Sequence, residues 1–214
     1  MTKDCGAKAP IKVFIADDQH LVRGALAALL SLQGDLEVVG EAADGAQIVS
    51  QVRQCRPDVL IMDIEMPGTS GLQASKELRN AGLLGAGKAR VLIVTTFGRT
   101  GYLQRALAAG ASGFIMKDTP PDSLAEAVRR IHAGHRVIDP ELAERALFSP
   151  PNPLTQREVE VCHAATEHHS VRDIAAALHL SEGTVRNHLS AIMTKTATGN
   201  RHAAVAAAED NGWL

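Results

Sequence analysis

Between residues 11 and 134, short apolar runs alternate with longer segments whose apolar positions recur every three to four residues. The runs at 11–16, 36–39, 59–62, 91–94 and 114–116 predict five strands, and those at 59–62 and 91–94 are apolar throughout, as in strands buried on both faces. The segments 20–32, 46–55, 71–80, 101–109 and 122–133 carry the helical period. Strands alternating strictly with helices predict a (βα)5 unit, a doubly wound parallel sheet of flavodoxin-like type in an α/β domain. Arg56-Pro57 stops the second helix, and Thr119-Pro120-Pro121 prepares the fifth.

The pattern then changes. Three prolines fall within Ser149-Pro150-Pro151-Asn152-Pro153, where no helix can continue. The organisation predicted is a tail at 1–10, a first domain at 11–134, a linker at 135–153 and a second domain at 154–214. The last of these shows only helical segments, at 155–165, 170–178, 181–194 and 201–210, so an all-α four-helix domain is predicted. Thr155 with Glu158 forms a capping-box pattern, and Ser181 stands where it caps the third of these helices. Ile174, Ala175 and Leu178, followed after a short turn by Val185, Leu189 and Ile192, have helix-turn-helix spacing.

Composition excludes several classes. The six aromatic residues (four Phe, one Tyr, one Trp) are too few for a single-stranded nucleic acid stacking platform. Cys5, Cys55 and Cys162 are too scattered for a zinc cage or a disulfide framework and read as reduced thiols of a cytoplasmic protein. No apolar run approaches the ~18 residues of a membrane span, so no membrane partner is expected. With 22 Lys and Arg against 24 Asp and Glu, the net charge of −2 speaks against a broad basic surface.

In an open parallel sheet, ligands sit at the carboxyl ends of the strands. Asp17 and Asp18 follow the first run there, Asp63 the third, Thr95 the fourth and Lys117 the fifth. Three crowded carboxylates repel one another, and a hard divalent cation such as Mg2+ relieves that repulsion with oxygen ligands. The same set suits phosphoryl transfer onto Asp63, with Lys117 supplying an ammonium and Thr95 a hydroxyl donor.

These residues, with PDVLIMDIEMPG at 57–68 and GFIMK at 113–117, resemble the receiver domain of bacterial two-component response regulators. The resemblance implies that Asp63 is the phosphoacceptor. It further implies that Asp17, Asp18, Asp63 and the backbone carbonyl of Glu65 hold Mg2+, and that Thr95, Phe114 and Lys117 transmit the phosphorylated state. Asp118 departs from the pattern, since many receivers carry proline after the lysine.

In the second domain, PLTQREVEV at 153–161, DIA at 173–175, LSEGTVRNHLS at 180–190 and NR at 200–201 are similar to the LuxR-type helix-turn-helix of the NarL/FixJ response regulators. Within that family, the stretches at 61–68, 95–98 and 101–105 and the terminal Gly212-Trp213 look nearest to the DesR-type regulators. The resemblance implies that the helix opened by Ser181 reads the major groove of promoter DNA. Its Thr184, Arg186, Asn187, Ser190 and Lys195 have the chemistry for base edges and phosphates. Against this, residues 151–214 hold five Lys and Arg and seven acids. His168 replaces a frequent glycine, and Thr196 and Thr198 replace apolar residues, so their hydroxyls require partners.

The expected protein is not an enzyme. A sensor histidine kinase phosphorylates it, it dimerises, and it binds promoter DNA, with RNA polymerase a further contact. Leu26 and Leu30 of the first helix and Leu124, Val128 and Ile131 of the fifth are the expected dimer face. A haloacid-dehalogenase-like phosphatase would need an acid/base Asp two residues after its nucleophile, where Glu65 stands. A phosphorylation-gated interaction module without sequence-specific DNA output is the alternative reading.

Overall fold

The computed structural model describes residues 9–96, 100–147 and 151–214. Residues 1–8 of the expected tail, 97–98 of the DesR-like stretch, and Ser149 and Pro150 of the proline stretch lie outside the described residues. The chain divides into two compact units, one holding the sheet and the other holding Leu142–Leu214 together with residues 100–104.

In the first unit, β1 (Ile11–Ala16), β2 (Leu36–Ala42), β3 (Val59–Met62), β4 (Arg90–Thr95), β5 (Gly113–Met116) and β6 (Val137–Ile138) form one sheet in the order β2-β1-β3-β4-β5-β6. All pairings are parallel. The connecting helices are α1 (His20–Ser31), α2 (Ile48–Cys55), α3 (Gly71–Asn80), α4 (Thr100–Ala109) and α5 (Pro121–His132). Side chains alternate across a strand, so Val13, Ile15, Val59, Ile61, Leu92, Val94 and Ile115 share one face, where they pack with Leu30 of α1 and Leu124, Val128 and Ile131 of α5. Phe14, Leu60, Met62, Ile93 and Phe114 fill the other alternation and are also buried.

The expected linker at 135–153 contains regular structure. Residues 137–138 pair with β5, and α6 (Pro140–Leu147) follows. The helix start is chemically ordinary: Asp139 Oδ1 accepts the Glu141 N–H at 2.9 Å, and Pro140 occupies the first helical position. The sheet therefore has six strands rather than five.

The second unit contains α7 (Gln156–Glu167), α8 (Val171–Leu178), α9 (Glu182–Lys195) and α10 (Arg201–Asp210) around Val161, Cys162, Ile174, Val185, Leu189, Ile192 and Ala204. The capping box at Thr155 is formed in both directions, and Ser170, Ser181 and Asn200 cap the other three helices. His168 ends α7 with extended backbone (φ −121°), so no left-handed cap is required there. Thr196 Oγ1 is 2.9 Å from both the Ile192 carbonyl and Thr198 Oγ1, which satisfies the two hydroxyls at the core edge.

Candidate functional site

The carboxyl ends of β1, β3, β4 and β5 bring Asp17, Asp63, Thr95 and Lys117 together. Asp17 and Asp63 are 2% and 4% exposed, while Asp18 is open to solvent. Each buried carboxylate commits one oxygen to backbone: Asp17 Oδ1 accepts the Gln19 N–H at 2.9 Å, and Asp63 Oδ1 accepts the Ile64 N–H at 2.7 Å. The second oxygens both face Lys117, whose Nζ lies 2.7 Å from Asp17 Oδ2 and 2.9 Å from Asp63 Oδ2. The carboxylate oxygens of Asp17, Asp18 and Asp63 come within 4.8 Å of one another. Two of the three carboxylates thus share one ammonium, and with Asp18 beside them they make an all-oxygen donor set with surplus negative charge that could hold a hard divalent cation. Glu65 lies exposed in the loop after β3.

Thr95 is fully buried, and its carbonyl accepts the Lys117 N–H at 2.8 Å, which ties the ends of β4 and β5 together. Phe114 is buried in β5 opposite Ile93. Burial, reinforced by the charge of Asp17, pushes the Asp63 carboxyl above the usual carboxylate range despite the pull of Lys117. Burial also works against the Lys117 ammonium, but its bonds to Asp17 and Asp63 outweigh that and hold it above an ordinary lysine. The site as a whole therefore favours retaining protons or taking up cations.

Two supporting residues escape a reading of strand ends. Arg23 of α1 donates from Nη1 to the Asp17 carbonyl at 2.6 Å and from Nε to Glu41 of β2 at 3.2 Å, clamping the loop that carries Asp17. Gly71 opens α3 directly against Asp63: its N–H donates to the Ile64 carbonyl at 3.0 Å, and its missing Cβ leaves room for the Asp63 carbonyl. A glycine just after Thr69-Ser70 and before a helical pattern was the available signal for Gly71. Arg23 offered none, because its partners lie on other elements.

In the second unit, Ser181 Oγ accepts the Thr184 N–H at 3.1 Å and lies 2.8 Å from Thr184 Oγ1, so these hydroxyls engage each other at the start of α9. Arg186 forms an exposed i,i+4 pair with Glu182 at 2.6 Å, a weak tether. Asn187 and Ser190 are exposed. Lys195 is placed differently. Its Nζ lies 2.6 Å from Glu158 Oε2, the oxygen that also accepts the Thr155 N–H, so it bridges α9 to the capping box of α7.

The expected dimer face requires correction. Leu30, Leu124, Val128 and Ile131 are at most 4% exposed and belong to the core, and Leu26 packs against it. An apolar stripe at helical spacing must be buried somewhere, and here the sheet buries it. The exposed leucines are instead Leu21 and Leu29 of α1 and Leu32 just after it.

A sheet that gathers carboxylates and a lysine at one mouth, carried on the same chain as a helix-turn-helix unit, defines a receiver coupled to a DNA-binding output, and comparison with known proteins agrees. Residues 13–129 match the response regulator receiver domain, and residues 152–208 match the bacterial regulatory proteins of the luxR family. The chain is 44% identical over 204 residues to the transcriptional regulatory protein DesR of Bacillus subtilis (strain 168), covering 95% of this chain and 99% of DesR. It is 43% identical over 204 residues to YvfU, an uncharacterized transcriptional regulatory protein of the same organism, covering 95% of this chain and 100% of that one. The crystal structure of ChrA, a response regulator in a heme-sensing two-component system, aligns at 35% identity and a TM-score of 0.57, covering 97% of this chain and 100% of ChrA. The chain belongs to the bacterial response regulators of the NarL type, with a receiver domain and a LuxR-type DNA-binding domain, and acts in transcription regulation.

Proposed function

We propose that Asp63 is the phosphoacceptor of a switch that controls DNA binding, with a sensor histidine kinase or a small phosphodonor as the source of the phosphoryl group. The observation that carries this reading is the single ammonium of Lys117 held between buried Asp17 and Asp63 at the carboxyl end of the sheet. A carboxylate oxygen of Asp63 attacks phosphorus in line; the P–N bond to the kinase histidine breaks, and the nitrogen leaves with the electron pair. The product is a mixed anhydride beside the Lys117 ammonium, which offsets its charge. Asp17, Asp18, Asp63 and the backbone carbonyl of Glu65 would hold Mg2+, which when bound neutralises phosphoryl oxygens. Thr95 supplies a hydroxyl toward the new group, and Phe114, on the strand next to it, passes the change outward.

The output is promoter DNA read by α9 through Thr184, Arg186, Asn187 and Ser190, with Arg186 leaving Glu182 for the groove and Ser181 fixing the helix start. Lys195 is assigned to the fold. Because residues 151–214 carry more acid than base, one copy binds weakly, and two copies with recognition helices ~34 Å apart supply the affinity. The exposed leucines at and just after α1, Leu21, Leu29 and Leu32, are the face for the second copy. The reading places the protein in the cytoplasm and gives it no enzymatic turnover of its own; among the described residues no helix is long and apolar enough to cross a membrane.

Incubation with acetyl phosphate and Mg2+ followed by intact mass measurement adds one phosphoryl group to the wild type and none to Asp63→Asn. Equal labelling of that variant refutes the assignment.

A further inference from the structure

At the amino-terminal end of the sheet, opposite the carboxylate site, lies a cavity of about 620 Å3 within the first unit. Its walls come from the end of α2, the turn into β3, the loop between α3 and β4, and the last turn of α5. Arg53, Arg56, Lys88 and Arg90 line it, with His132 at the α5 side. The side chains of these four cations make no hydrogen bond or ion pair among the described residues. The one acid in the lining, Asp58, is engaged elsewhere: its Oδ2 accepts the Lys12 N–H of β1 at 2.9 Å.

Cations at helix C-termini complement the helix dipole. Three helices, α2, α3 and α5, end around this cavity, and each presents about half a negative charge. With Asp58 that makes roughly two and a half negative charges against four permanent positive ones, so an excess of more than one remains. Arg56 is also held in an unusual backbone conformation. It sits in the left-handed region (φ 47°, ψ 57°) as the residue after α2, immediately before Pro57, a conformation disfavoured for a long side chain where glycine or asparagine is usual. Val52, Pro57, Leu83 and Ala89 add an apolar part to the lining.

We propose that this cavity binds a small polyphosphorylated metabolite of nucleotide size. Its phosphates meet Arg53, Arg56, Lys88 and Arg90, and its ring lies against the apolar part of the lining. The volume falls within the roughly 300–1,000 Å3 of small-molecule sites, and guanidinium forks match phosphate oxygens in pairs. The site is remote from Asp63 and independent of its chemistry.

Titration calorimetry of the full chain with ADP, in magnesium-free buffer containing EDTA so that the carboxylate site takes no part, tests it. One saturable site per chain is expected, with adenosine not binding and inorganic phosphate at least ~10-fold weaker than ADP. Removing one charge-assisted hydrogen bond weakens binding roughly tenfold, so Lys88→Gln binds about 10-fold and Arg53→Gln/Arg90→Gln about 100-fold more weakly. All of these changes are on exposed or half-exposed positions, and circular dichroism melting checks that the variants remain folded. Absence of saturable binding, adenosine or phosphate matching ADP, or binding unchanged in a folded double variant overturns the proposal.

Discussion

One substitution made at two glycines should have opposite consequences, and the structure gives the sign of each. Gly71 occupies the first position of α3, where alanine is favoured by helix propensity by up to about 1 kcal/mol. A Cβ built there, however, falls 2.9 Å from the Asp63 carbonyl carbon and closer still to its oxygen. Carbon atoms settle about 3.5–4.0 Å apart, so the Asp63 backbone must retreat by on the order of 1 Å. Such overpacking costs ~1–3 kcal/mol and outweighs the propensity gain. The displaced residue is also the proposed nucleophile, for which a 1 Å misplacement costs about 100-fold in rate. Net of that gain, Gly71→Ala is expected to lower the melting temperature of the sheet unit by roughly 3–8 °C and to slow acetyl phosphate labelling by one to two orders of magnitude. Gly24, within α1, has nothing within 4 Å of a built Cβ, so Gly24→Ala is expected to stabilise by about 0.5–1 kcal/mol and leave labelling unchanged. Scanning calorimetry and time-resolved intact mass measure both. Wild-type labelling and melting in Gly71→Ala would show that the loop after β3 yields without moving Asp63.

Four further outcomes follow from the geometry. Burial alone would raise the Glu158 carboxyl, but its bonds to Lys195 and Thr155 hold it below the ordinary glutamate value of 4.5. A depressed folded value contributes stability above that point and loses it as pH falls through the folded value. Urea unfolding of wild type and Glu158→Gln should thus differ at neutral pH and converge in acid. Lys195→Ala, which removes the bridge at 2.6 Å, should destabilise the second unit by about 1 kcal/mol, the low end for a charged hydrogen bond because the lysine is one-third exposed; a loss of DNA affinity with stability intact would return Lys195 to the DNA face. Leu29→Asp/Leu32→Asp should keep the chain monomeric after phosphorylation in sedimentation velocity without lowering the melting temperature; a phosphorylated dimer of unchanged strength would place the second copy elsewhere. Cys162 is fully buried, and burial pushes its thiol up to about 11, so alkylation at mildly alkaline pH should proceed only through unfolding of the second unit, at the same denaturant midpoint as its circular dichroism. Rapid alkylation of Cys162 in the native chain would contradict that packing.

How far the sequence could be read depended on whether the controlling partner was near in sequence or obeyed a fold-level rule. β1, β3, α3 and α10 have the predicted bounds because their ends coincide with a sharp change from apolar to polar residues or with a cap. β2 runs on to Ala42 through Gly40 and Glu41, where pairing with β1 across an irregularity at Val13 and Phe14 overrides local composition. β6 was missed because two residues carry no period, and its pairing with Gly113 and Phe114 decides the matter. The leucines of α1 and α5 show the limit most clearly: periodicity says that Leu30 or Val128 is buried, and only the sheet says against what.

The two ends of that sheet pose the same electrostatic problem with opposite sign. At the carboxyl end, strand order identifies which loops converge, so Asp17, Asp18, Asp63, Thr95 and Lys117 could be collected from the sequence. At the amino end the cations sit on helix ends and on a loop after α3, as well as on β4, and their spacing in sequence is irregular. Arg53 and Arg56 lie at a helix terminus and Lys88 in an exposed loop, where a cation is ordinary taken alone. Only their arrangement around one cavity, with Asp58 turned to Lys12, leaves a charge excess that local explanations do not absorb. A carboxylate cluster with more negative charge than its one lysine offsets implies a cation, and by the same physics an excess of cationic side chains in a concave site implies an anion.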